Sequence, residues 1–151
     1  MKIKIFVGIY PKIIMVLLLS FLPALAQERT GDLAVLDFIF QGKQLTKQQI
    51  EFLSDDIREK AVDLTSYRIM NKETVFAILR DKGIDLSKCR EAECEVEYGR
   101  MLQADKLVTS RILISGNKYY IKVKLYDVAK ATLEKSVSKE CESCDFSKLR
   151  R

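Results

Sequence analysis

The sequence predicts an α/β fold of the α+β-like kind: one domain of two or three layers built on a mixed sheet. Three observations carry this. A nearly continuous apolar run from Leu33 to Phe40 suits a central strand covered on both faces. A stretch of helical period, Ile50 to Leu64, follows it and is opened by capping-box spacing. Further on, Leu107 to Tyr126 reads as two strands about a tight turn, and this hairpin organises the rest. The expected order is β-α-β-α-α-β-β-β, ending in a β-meander and the start of a terminal helix.

The amino terminus stands outside that fold. Lys2, Lys4 and Lys12 precede the apolar run Ile13 to Leu22, and Pro23-Ala24-Leu25-Ala26 follows. This is the layout of a secretory signal peptide, residues 1–26, cut between Ala26 and Gln27. The 14 residues from Ile13 to Ala26 fall short of the ~20 that span a bilayer. Gln27, not Cys, stands after the cut, so there is no lipobox. The expected mature chain, 27–151, is a single periplasmic or secreted domain with no membrane span.

Removing the leader changes the charge balance. The whole chain is net +5, but the leader holds three lysines and no acid, which leaves 23 basic and 21 acidic residues. The remaining bases are interleaved with acids, and no basic stripe with aromatics points to nucleic acid. The chain has four Cys and no His. Without His, Ser-His and Cys-His nucleophilic pairs and most catalytic zinc sites are ruled out. An even Cys number in an exported chain reads as a disulfide framework.

Along the chain, Asp37 interrupts the first strand. Thr46-Lys-Gln-Gln49 opens the long helix, with Ile50, Leu53, Ile57, Ala61 and Leu64 inward and Glu51, Asp55, Asp56, Arg58 and Glu59 outward. Tyr67 to Met70 is a short second strand, parallel to the first. Asn71 caps a second helix, Lys72 to Asp81, whose inner residues are Val75, Ile78 and Leu79, and Gly83 ends it. A third helix runs from Glu91 to Gln103, with Gly99 as its weak point. Ser115-Gly-Asn-Lys118 makes the two-residue hairpin turn. Tyr119, Ile121, Val123 and Leu125 alternate with Tyr120, Lys122, Lys124 and Tyr126. Thr132 to Ser138 is an edge strand broken by lysines. Cys141 to Leu149 begins a further helix and stops, which reads as an incomplete end.

Candidate sites are few. Four Cys allow three pairings; the short spacings favour two local bridges. Cys89, just before the third helix, folds back to Cys94 in its first turns. Cys141 and Cys144 lie three apart at a turn, within disulfide reach. A redox role for Cys141 and Cys144 is opposed by Glu140, Glu142 and Asp145, whose charge raises a thiol pKa. One zinc on all four cysteines is the other reading, set aside because export favours oxidation. Asp55 and Asp56, adjacent on a helix, point about 100° apart and do not converge on one atom. Asp37 reads as a strand-end residue and Asp105 as the end of the third helix. No phosphate-cradling Gly-rich loop occurs. Tyr120, Lys122, Lys124 and Tyr126 share one outer face and form a candidate docking face, set against burial of that face by a helix or by the carboxy-terminal segment. No catalytic residue, metal ligand or cofactor is expected.

Several ordered pieces carry a family resemblance: Ala34-Val-Leu-Asp-Phe38, Asp56-Ile-Arg58, Tyr67-Arg-Ile-Met-Asn-Lys-Glu73 with Ile78-Leu79, Gly99 to Thr109, and the Tyr119–Val128 strand. Together they resemble bacterial envelope domains of the TolB amino-terminal type and the related LpoB, CsgG and FlgO proteins, over Leu33 to about Val137. Three departures stand out. Asn71-Lys72-Glu73 replaces an Asp-Arg-Glu, Gln103 replaces the Gly of a Gly-Ala-Asp motif, and Ala129-Lys-Ala131 lacks the usual turn Gly. The resemblance implies a mixed α/β periplasmic domain that works by docking other envelope proteins, with no catalytic residues. The expected function is thus a non-enzymatic exported envelope module. The alternative is a thiol-disulfide or other small periplasmic enzyme using Cys141 and Cys144.

Overall fold

Leu33, Ala34 and Val35 begin the sheet, and their neighbours explain why the run is apolar on both sides. The computed structural model describes residues 30–149 apart from 41, 43 and 90, so the expected leader and its Ala26–Gln27 junction lie outside the described residues. The strands are β1 (Asp32–Val35), β2 (Ile39–Phe40), β3 (Arg68–Ile69), β4 (Lys106–Ser115), β5 (Lys118–Asp127) and β6 (Thr132–Glu142). The helices are α1 (Lys47–Leu64), α2 (Lys72–Asp81), α3 (Ala92–Met101) and α4 (Phe146–Leu149). One mixed six-stranded sheet has the order β3-β1-β4-β5-β6, with β2 also beside β4. β1 and β2 run parallel to β4, and β4, β5 and β6 form an antiparallel meander. The fold is α/β, as the sequence predicts.

Consecutive residues of a strand face opposite sides. Leu33, Val35 and Val108 accordingly pack with Ile57 and Ala61 of α1. Ala34, Leu36 and Leu107 pack on the other side with Val75 and Leu79 of α2, Val96 and Tyr98 of α3, and Leu102 just after it. Each Leu or Val buried in this way contributes about 1.5–3 kcal/mol. α4 joins the α1 side, where Phe146 meets Phe52 edge-on with ring centroids 6.0 Å apart. Among the described residues no helix is long and apolar enough to cross a membrane.

The expected single strand from Leu33 to Phe40 is in fact two. Val35 pairs with Val108 and Ile39 with Arg111, so the β1–β2 segment spends one residue more than β4 over the same stretch. That extra residue flips the parity: Leu36 faces α2 and α3, whereas Phe38 and Phe40 face α1. Two side chains of α1 repair the break. Phe38 N–H donates to Ser54 Oγ at 3.0 Å, and Arg58 donates to the Val35 carbonyl at 3.0 Å and to Asp37 at 2.6 Å. Arg58 is therefore buried, not outward as its charge suggests. Leu64, expected inward, is 80% exposed, because α1 has run past the sheet by its last turn.

The other elements follow their signals. Thr46 and Gln49 form the reciprocal capping box of α1, and Asn71 accepts from Glu73 N and Thr74 N to start α2. α3 starts at Ala92 and ends at Met101, inside the expected span. Asp105, expected to end that helix, instead accepts from Asp32 N–H at 2.8 Å and ties β4 to β1. Gly99 is no weak point: a Cβ there would lie 2.5 Å from Val128 Cγ2, so only glycine lets α3 approach β5 this closely. β6 extends to Glu142, four residues beyond the expected end, because it pairs with β5 over its full length. Lys106 bridges Asp127 at 2.9 Å and also meets Glu134, binding β4, β5 and β6 at the irregularity after Leu125. That ammonium holds the Asp127 carboxyl down to about 2.

Candidate docking face

The hairpin turn fixes which residues meet. With Gly116 and Asn117 at its tip, and Gly116 at φ 61°, Ser115 falls opposite Lys118 and the rest follows by register. On the α3 side of the sheet this gives three facing pairs: Leu113 with Tyr120, Arg111 with Lys122, and Thr109 with Lys124. α3 covers only the lower part of the face. Above it, Leu113 is 59% and Tyr120 37% exposed, and Lys122 is exposed beside them.

The boundary between covered and open sheet is a polar node. Glu95, in the first turn of α3, is 3% exposed, and its carboxylate accepts from Tyr126 Oη at 2.5 Å and Lys124 Nζ at 2.8 Å. The Arg111 guanidinium lies 3.9 Å from the same carboxylate and donates to the Cys89 carbonyl at 2.8 Å. The helix N-terminus adds its own partial positive charge toward Glu95. Burial pulls the Lys124 ammonium down, but Glu95 and Tyr126 together, through their hydrogen bonds and charge, outweigh it and the pKa ends raised. Burial also pushes the Tyr126 hydroxyl up, with Glu95 adding to it. Both pKa values thus move further above 7, the opposite of what proton transfer at pH 7 requires. Glu95, Thr109, Arg111, Lys122 and Lys124 line a recess of about 180 Å³.

Of the four residues expected on one docking face, three remain accessible in different degrees. Tyr120 and Lys122 are exposed, Lys124 is half-buried against Glu95, and Tyr126 is 1% exposed beneath α3. Tyr126 is therefore a core residue, because α3 crosses the sheet at that level and supplies its acceptor. Arg111, Leu113 and Glu95 belong to the face and were not singled out from the sequence. The first two follow from the turn position and β4 register; Glu95 reaches the site through tertiary packing, which no local pattern reports.

The cysteines lie elsewhere. The structure joins Cys89 to Cys94 and Cys141 to Cys144, with Cα atoms 5.8 Å apart in each pair. The first pair packs with the core under α2 and α3, with Cys89 buried in it, and the second lies half-buried against the core on the α1 side, so the four sulfurs do not meet at one ion. Among the described residues no group of three or more His, Cys, Asp or Glu is placed to hold a metal. The Cys89–Cys94 bridge clamps the start of α3, and Arg111 fastens the same loop to β4. Asp55, the other expected surface acid, pairs with Arg58 at 2.7 Å and Lys72 at 3.4 Å.

No family model matches this chain, and no curated protein matches it. Solved structures do. The fold is similar to that of LpoB C-terminal domains. The domain from Salmonella enterica has a TM-score of 0.58 at 10% identity, over 74% of this chain and 82% of that one. The domain from Escherichia coli gives 0.57 at 10% identity, over 84% and 93%. Lipoprotein GNA1162 from Neisseria meningitidis gives 0.57 at 10% identity, over 74% and 79%. At such identities the likeness is one of fold.

Proposed function

We propose that this chain is a non-enzymatic module of a bacterial envelope that binds another envelope protein through the open half of its sheet. The observation that carries the reading is the exposed Leu113–Tyr120 pair, an apolar and an aromatic side chain side by side on a rigid hairpin. Tyrosine on a fixed strand offers large contact area at little entropic cost, as protein interfaces favour. The LpoB-like fold and the ordered sequence resemblance both support an envelope role. Export by the leader, cut between Ala26 and Gln27, would deliver residues 27–151 as one domain to the periplasm. The kinship with TolB amino-terminal, CsgG and FlgO domains remains part of this proposal.

The face has the geometry of a binder. Glu95 holds two of its cations, Arg111 and Lys124, and the two bridged cysteine pairs pack against the cores on either side of the sheet. A redox role for Cys141 and Cys144 has no specific observation in its favour, and both bridges act here as clamps on loop geometry.

The test is capture from envelope extract with the mature chain and with the double variant Leu113→Ser/Tyr120→Ala. Both side chains are exposed, so the fold survives their loss. A discrete partner held by the parent and weakened about fivefold or more in the variant, with unchanged melting, supports the reading. Equal capture by both proteins contradicts it.

A further inference from the structure

Arg111 and Lys122 face each other directly across β4 and β5, and like charges so placed destabilise a sheet. Arg111 has partial relief from Glu95 and the Cys89 carbonyl; Lys122 has no ion-pair partner among the described residues. The recess they border holds three cations, Arg111, Lys122 and Lys124, against the single carboxylate of Glu95. At about 180 Å³ it has room for one more carboxylate-bearing side chain.

We propose that the missing charge comes from the partner: an extended acidic segment of another protein lies along this face and sets an Asp or Glu side chain between Arg111 and Lys122. This rests on the docking reading above and gives the partner's chemistry. The two cations stand two residues from Leu113 and Tyr120 on their own strands, on the same face. An extended segment also repeats its side chains every two residues. The recognised element is therefore an acid and an apolar residue two apart.

A flat anionic membrane does not fit. α3 stands above the sheet by the ~10 Å of a helix; Glu91 at its N-cap and Glu93 on its first turn are exposed, and its one exposed cation, Arg100, is paired with Glu97. A planar surface would meet those acids before it reached Arg111. Only a slender segment enters beside the helix.

Lys122→Glu separates fit from fold, since it replaces the like pair by an Arg111–Glu pair. The variant melts about 2–4 °C above the parent. Backbone NMR titration uses a ten-residue peptide with a glutamate and a leucine two apart, its glutamine counterpart, and phosphatidylglycerol vesicles. The glutamate peptide shifts Arg111, Leu113, Tyr120 and Lys122 in the parent, weakens with salt, and loses about tenfold or more in affinity with Lys122→Glu. The glutamine peptide and the vesicles leave these residues unmoved. Absence of the shifts, shifts equal with both peptides, or a response to vesicles alone overturns the proposal. In extract capture, sensitivity to Leu113→Ser/Tyr120→Ala but not to Lys122→Glu rejects the acidic partner and keeps the face. Indifference to both rejects the face itself.

Discussion

Gln103 and Ala131 occupy the left-handed region, at φ 55° and 54°. Gln103 stands where the envelope domains the sequence resembles carry a glycine, and Ala131 closes the Ala129–Ala131 turn in which a glycine is usual. The structure shows what that glycine would do there, because a Cβ in this region costs about 1–2 kcal/mol. Glycine also carries more entropy in the unfolded chain, which returns part of the gain. Gln103→Gly and Ala131→Gly are each expected to stabilise by about 1 kcal/mol, read from urea midpoints at constant slope. An unchanged or lower midpoint would mean that the backbone at these turns is relaxed. Residue-level signals in the sequence were good where the cause is local: Thr46, Gln49 and Asn71 cap the helices at the expected places. They misled at Gly99 and Arg58, because the reason for each lies in a partner distant along the chain, Val128 for one and Val35 with Asp37 for the other.

At the scale of elements, the strand break between Val35 and Ile39 shows the same limit. An apolar run reports burial, not hydrogen-bond register, so the extra residue that turns Phe38 and Phe40 toward α1 left no mark in the pattern. Two of the break's backbone groups, Phe38 N–H and the Val35 carbonyl, are satisfied by α1, while Leu36 N–H still donates to the Val108 carbonyl of β4. Arg58→Met removes the donor to Val35 and leaves Asp37 half-buried without its cation. The expected loss is about 3 kcal/mol by chemical denaturation, and Asp37→Asn in the same background restores part of it by removing the stranded charge. A loss below about 1 kcal/mol would show that the break is held by Ser54 and packing alone. The hairpin, by contrast, was legible in full. Its two-residue turn and alternating strand are local features, and once the turn is placed every cross-strand pair is set.

At the scale of the whole molecule, the sheet is covered unevenly. α1 lies over one face, and on the other α2 and α3 cover β1 and the lower part of β4 and β5, which leaves the upper hairpin open. The alternation of Tyr120, Lys122, Lys124 and Tyr126 shows that they share a face, but the position of α3 decides which of them are accessible. That position is set by long-range contacts among Gly99, Leu107 and Val128 and by Glu95 on Tyr126. The working surface is accordingly smaller than the pattern suggests and includes Arg111 and Leu113. Photo-crosslinking in living cells tests this most directly, with a photoreactive residue placed in turn at positions 113 and 120 and, on the outer side of α1, at positions 59 and 62. The account predicts one discrete adduct from positions 113 and 120 and none from 59 and 62; adducts from the α1 positions with none from the hairpin would contradict it.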